Sequence, residues 1–144
     1  MPGEEHFRKL ERLYLKAPTN LYYRPSIAVG PGRAEIRIPV RPEFLHAAGA
    51  VHGSVYFKAL DDAAFFAVNS LLEDVLVLTA SFTLYFTRPV AEGEIRATGT
   101  VVHQAIRVYV AEARATDGEG RLVAAGSGTF MPTRIGLTPA VGYE

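Results

Sequence analysis

The stretch AAGAVHGSVYFKALDDAAFFAVNS, residues 47–70, joins a His-Gly pair to two adjacent aspartates inside an apolar run. Carboxylates are rare in buried helices unless the charge is paired or used. A carboxylate held there can attack an electrophilic carbon or take a proton from water. It can equally be half of a buried ion pair or a hydrogen-bond network. Neighbouring helical residues point about 100° apart, so Asp61 and Asp62 cannot face one pocket equally. Lys58, four residues before Asp62, is spaced to pair with it, and a dimer interface is the other surrounding open to that side chain. Metal binding by His46, His52 and the aspartates fits no standard ligand spacing. The second glycine-rich stretch, AAGSGTF at 124–130, lacks the lysine of a phosphate loop and precedes no helix, so it reads as a strand with closely approached backbone.

The elements that must hold these residues follow from periodicity. Phe7, Leu10, Leu13 and Tyr14 recur at three- and four-residue steps, which predicts an amphipathic N-terminal helix of about three turns stopped by Pro18. Residues 26–29 and 33–40 read as two strands around the turn Gly30–Pro31–Gly32. In the second, Ala34, Ile36 and Ile38 alternate with Arg33, Glu35 and Arg37, one face buried and one wet. Residues 41–50 form a loop or a single helical turn. From Gly53 the sequence is apolar nearly all round, the mark of a central helix wrapped by other elements. Strands follow at 75–86, 93–104, 106–117 and 121–132, the last two joined by Gly118–Glu119–Gly120. Tight turns make these strands antiparallel neighbours. The fold class is α+β: about six antiparallel strands around one apolar helix. Residues 1–19 form a helical segment, 20–132 the domain, and 133–144 a tail expected to be loosely ordered. His6 and His103 read as surface residues without a function.

Composition narrows the function. The chain has 144 residues, 49% of them apolar, which suits one domain with a real core. Fifteen basic residues balance fifteen acidic ones, so a dedicated nucleic-acid binder is not expected. The absence of cysteine excludes disulfides, zinc-thiolate sites and a cysteine nucleophile. The first twenty residues have no apolar signal core, and no uncharged apolar run approaches the ~20 residues of a membrane span. A soluble, cytoplasmic, single-domain protein without a cofactor is the expectation.

The sequence resembles the hotdog-fold acyl-CoA thioesterases of the phenylacetic-acid-degradation type over roughly residues 26–130. The likeness rests on His52-Gly53, on Asp61 nine residues after the histidine, and on a strand ending in YFTRP. It departs from the family pattern at Ser54, where a second glycine is usual, at Asp62, which adds an acid, and at His46, where Asn or Gln is common. Ser54 alters the first helical turn. The resemblance implies a homodimer or homotetramer with active sites at the dimer interface. There the helix N-terminus of one copy meets the acid of the other.

In that reading Asp61 is the base or nucleophile. The Gly53 amide, at a helix N-terminus with free N–H groups and partial positive charge, holds the oxyanion. His52 orients, and His46 occupies the place of the donor that aligns the acid or its water. Thr79, counted back from Arg88-Pro89, supplies a hydroxyl. The acyl group lies along the helix near Phe57, Phe65, Phe82 and Tyr85. Arg88, Arg107 and Arg134 are candidates for the coenzyme A phosphates. Two rivals of other classes are a non-catalytic acyl-CoA-binding or sensor module and a hotdog enoyl-CoA hydratase. Hotdog scaffolds host several functions, so only the site can separate them.

Overall fold

A computed structural model describes residues 2–144. Helix α1 (Glu4–Lys16) carries Glu4 and Glu5 in its first turn and Lys16 in its last, which complements the helix dipole. It buries Phe7, Leu10 and Tyr14 on one face. A short helix α2 (Asn20–Tyr23) follows, and the Asn20 side-chain amide donates to the Tyr14 carbonyl at 2.7 Å, holding the exit of α1. Strands β1 (Ser26–Gly30) and β2 (Arg33–Pro39) form a hairpin, with Gly32 at φ +65° in its turn. Helix α3 (Gly53–Asn69) then leads to β3 (Val75–Phe86), β4 (Glu94–Gln104), β5 (Tyr109–Thr116) and β6 (Leu122–Gly136).

All strand pairs are antiparallel, and the single sheet runs β1-β2-β4-β5-β6-β3. Alternation along β2 buries Ala34, Ile36 and Ile38 toward α3, as the sequence predicts. Ala59, Leu60, Ala63, Ala64, Ala67 and Val68 of α3 are fully buried against the sheet. The small residues let helix and sheet approach closely. A Cβ on Gly99 of β4 would lie 2.3 Å from the Ala63 carbonyl oxygen, a backbone atom that cannot swing aside. Gly99→Ala is therefore expected to destabilise the protein by about 1–3 kcal/mol or more through overpacking. Urea denaturation would reveal this as a lower midpoint at unchanged slope, and an unchanged midpoint would refute it.

Four expectations change. Residues 106–108 are not strand: the β4–β5 connection closes through Ala105 N–H to the Val108 carbonyl at 3.1 Å. β6 continues through Pro132 to Gly136, because β5 ends its pairing at Phe130 and leaves a free side where a proline costs little. His6 is buried rather than on the surface. Its Nε2–H donates to the Asn69 carbonyl at 2.9 Å, and its Nδ1 accepts from the Tyr143 hydroxyl at 2.8 Å. The tail expected to be loose is thus packed on α1, with Glu144 bonded to Lys16. Among the described residues, no helix is long and apolar enough to cross a membrane.

Candidate active site

Asp61 lies about two turns into α3 and faces β3. The Thr79 hydroxyl donates to its Oδ1 at 2.8 Å. β3 is irregular there, with a register shift against β6 between Thr79 and Ser81, the kind of bulge that re-aims a side chain. Burial pushes the Asp61 carboxyl up to about 6, with the neighbouring Asp62 charge adding to it and Thr79 and Lys58 opposing it. With Oδ1 engaged, Oδ2 remains to act as base or nucleophile near neutral pH.

Asp62, on the wall of the same cavity, turns toward α1. Its Oδ2 accepts from the Tyr14 hydroxyl of α1 at 2.6 Å and from Lys58 Nζ at 2.6 Å. The Lys58 ammonium also sits 5.1 Å from the ring centroids of Tyr14 and Tyr23. Burial raises the Asp62 pKa, and Lys58 with the two hydrogen bonds pulls it back down. Burial first, and Asp62 second, hold the Tyr14 phenol far above its ordinary value, so Tyr14 stays a donor. One aspartate is locked into a buried ion pair and the other is left available. Tyr14 was legible only as a core residue, although a phenol on a buried helix face requires a partner for its hydroxyl.

The head of α3 is built separately. His52 N–H donates to the Phe44 carbonyl and Val51 N–H to the Val90 carbonyl, both at 2.8 Å, which delivers His52 to the N-cap. The Ser54 amide donates to His52 Nδ1 at 3.0 Å, and the Ser54 hydroxyl lies 2.8 Å from the same atom. The ring hydrogen of neutral His52 is therefore on Nε2. Ser54, a departure from the family pattern, thus fixes the imidazole. Gly53, the first helical residue, has an amide with no intrahelical acceptor. A Cβ on Gly53 would meet the tip of the Phe86 ring at 2.9 Å. His46 lines the same pocket as Gly53, Tyr56, Phe86 and Arg88, a space of about 270 Å³. Its Nδ1 accepts from the Ala48 amide at 3.0 Å, so its nearest bond is within its own loop.

The profile of the thioesterase superfamily matches residues 48–124, more than half of the chain and both halves of this site. The chain belongs to the thioesterase superfamily. A Mycobacterium tuberculosis protein provisionally named an esterase is 31% identical over 102 residues, 68% of this chain and 73% of that one. The solved structure of such an esterase from that organism superposes with a TM-score of 0.77 at 26% identity, covering 81% of this chain and 97% of that chain. A Saccharolobus solfataricus protein, also provisionally named an esterase, is 25% identical over 91% of this chain and 90% of its own length. The PaaI protein of the E. coli phenylacetic acid degradation operon shares the fold, at TM-score 0.84 and 21% identity, over 93% of this chain and 97% of that one. The thioesterase has the hotdog fold that its sequence resemblance implies.

Asp61, Thr79 and Phe65 of the thioesterase meet at one cavity of about 470 Å³ between α1, α3 and β3. Gly53, His46 and Arg88 meet at the other pocket, and no lining residue is common to the two. Gly53 and Asp61 are eight residues apart, which is about 12 Å along the helix axis. Phe57 and Phe82 line neither space; their rings pack edge to face at 5.7 Å, and Phe82 lies across Gly126 and Gly128 of β6. Tyr85 is 68% exposed. Arg107 and Arg134 are exposed and line neither space. Among the described residues, no three His, Asp or Glu side chains gather as metal ligands.

Proposed function

We propose that this thioesterase hydrolyses acyl-CoA thioesters, with each active site shared by two copies of the chain. The observation that carries the reading is the separation along α3. An oxyanion donor and the attacking group must both lie about 3 Å from one carbonyl group, and about 12 Å of helix separates Gly53 from Asp61. One copy therefore supplies the Gly53 amide and a second copy supplies Asp61. β3 supports this pairing. It is a twelve-residue strand at the sheet edge, with Leu78 and Phe86 more than half exposed, and such an edge invites a second chain.

In this mechanism Asp61 takes a proton from water as the oxygen attacks the thioester carbon, or attacks the carbon itself. The charge on the carbonyl oxygen is held by the Gly53 amide and the helix dipole. His52, fixed by Ser54, caps the helix and orients its first amides. The tetrahedral centre collapses, the carbon–sulfur bond breaks, and coenzyme A leaves as the thiolate. Thr79 holds the Asp61 carboxylate in line, His46 borders the amide, and Arg88 is placed to meet a phosphate of the nucleotide. Single turnover in heavy-oxygen water separates the routes. A base places the label in the first acid released and leaves Asp61 unlabelled, whereas a nucleophile forms an acyl–Asp61 anhydride, and water attacking its Asp61 carbon leaves the label on Asp61 and releases unlabelled acid. The reading itself is tested by thiol release from a panel of short, medium, long and aryl acyl-CoAs. Turnover is expected, and tight binding without thiol release would replace the hydrolase with a binding module.

Gly53 gives a sharper test. Its Cβ direction points at the tip of the Phe86 ring, the far end of a side chain that can shift where backbone cannot. Gly53→Ala is therefore expected to fold normally yet lose about 10- to 100-fold in kcat/KM, because the displaced ring crowds the amide. Adding Phe86→Ala should restore most of that loss. No recovery in the double variant would mean that the Cβ itself blocks the substrate.

A further inference from the structure

We infer that the cavity beside Asp61 is the acyl subsite, that it takes an uncharged apolar acyl group, and that Leu13 of α1 and Ala17 at its C-cap set the length it accepts. This rests on the acyl-CoA reading above and adds the substrate class. The cavity opens on the carboxylate–hydroxyl pair Asp61–Thr79, and its apolar lining comes from Leu13 of α1 and its C-cap Ala17, Phe65 and Phe66 of α3, and Leu76 and Leu78 of β3. Its volume of about 470 Å³ is in the range of small-molecule sites.

Its cation and the donors beside the two aspartates are already committed, and Asn20 Oδ1 is a buried acceptor without a partner, which offers nothing to an anion. Tyr14 and Lys58 bond to Asp62, Thr79 bonds to Asp61, and Asn20 Nδ2 bonds to the Tyr14 carbonyl. The one cation, Lys58, has a carboxylate on one side and two aromatic rings on others. A charged acyl terminus would enter without a counter-ion and lose its hydration, a cost that an alkyl or aryl group avoids. The nucleotide phosphates find no free cation here, so this cavity suits the acyl end of the substrate.

α1 is a firm wall. Arg8 donates to the Val29 carbonyl at 2.8 Å, and Glu11 accepts from the Val29 amide at 2.8 Å. His6 ties its start to the end of α3, and Asn20 ties down its exit. Leu13 stands in the last turn of this anchored helix and Ala17 is the residue that caps its end, and both line the cavity, so their bulk sets the depth of the space. Neither residue was expected from the sequence to touch substrate.

Binding of non-hydrolysable S-alkyl thioethers of coenzyme A, from butyl to decyl, would be measured by calorimetry on the full chain. It would be paired with kcat/KM on the matching acyl-CoAs and on glutaryl-CoA. Ala17→Phe is expected to reduce the decyl-to-butyl selectivity at least ~10-fold and Leu13→Ala to raise it, in line with the worth of methylenes in an apolar pocket. Glutaryl-CoA should be turned over at least ~10-fold less well than its uncharged counterpart. Leu15→Phe adds similar bulk on the 47% exposed side of α1 and should keep the wild-type selectivity. Thermal melts confirm folding. Folded Ala17→Phe and Leu13→Ala proteins with wild-type selectivity would overturn the inference, as would a shift by Leu15→Phe equal to that of Ala17→Phe. Length-dependent thioether binding without thiol release would uphold the subsite and sink the hydrolase reading. No thioether binding at all would sink both.

Discussion

Asp61→Asn is expected to cost about 10²–10⁴-fold in kcat/KM on the best acyl-CoA, the range spanned by loss of a positioned base. The Thr79 hydroxyl can still donate to the amide oxygen, so the geometry survives and only the ionisable group is lost. Wild-type kcat/KM should rise with pH through about 6, where burial places the Asp61 carboxyl, and flatten above it. A stability signature accompanies the loss. The Asp61 pKa is higher folded than unfolded, so between about pH 4 and 6 the folded chain holds the proton that the unfolded chain releases. Its contribution is full below pH 4 and is lost as pH rises through 6. Asp61→Asn removes that cost, and at pH 7.5 it should be more stable than wild type by about 1–2 kcal/mol, less than the full shift implies because solvent reaches the site. The gain should vanish near pH 4. An Asp61→Asn variant that keeps its activity, with Asp62→Asn inactive instead, would transfer the role to the other aspartate.

Lys58→Met is expected to be among the most destabilising single changes, by about 3–5 kcal/mol at neutral pH. Lys58 and Asp62 are 14% and 16% exposed, and removing the cation leaves a buried carboxylate with only Tyr14 as donor. The double variant Lys58→Met/Asp62→Leu should recover most of that loss, because an apolar pair of similar volume can replace a buried ion pair at little cost. Acidification should narrow the gap between Lys58→Met and wild type, since the stranded Asp62 then takes up a proton. Equal stability of the single and double variants would show that the pair is not coupled.

Much of this protein is written locally. The three- and four-residue steps of Phe7, Leu10 and Tyr14 define α1, and the alternation of Ala34, Ile36 and Ile38 defines the buried face of β2. The apolar run after Gly53 defines α3, and the four-residue spacing of Lys58 and Asp62 permits the ion pair that the structure forms. These patterns depend on neighbours within a turn or on one strand, so a sequence carries them. The resemblance at His52-Gly53 and Asp61 added the family and Thr79 as a hydroxyl for the water or the carboxylate, and the structure bonds that hydroxyl to Asp61. What could not be read were contacts between distant segments. α1 lies over α3 and brings Tyr14 onto Asp62 and Leu13 and Ala17 onto the Asp61 cavity. β3 crosses to the edge beyond β6, which places Phe86 against Gly53 and leaves Phe57 and Phe82 packed on each other. The tail returns to α1 and buries His6. Local periodicity determined the elements and the place of the candidate acid. The shape of the space beside that acid was decided only by which elements lie side by side, because a cavity is made of surfaces that are remote in the chain.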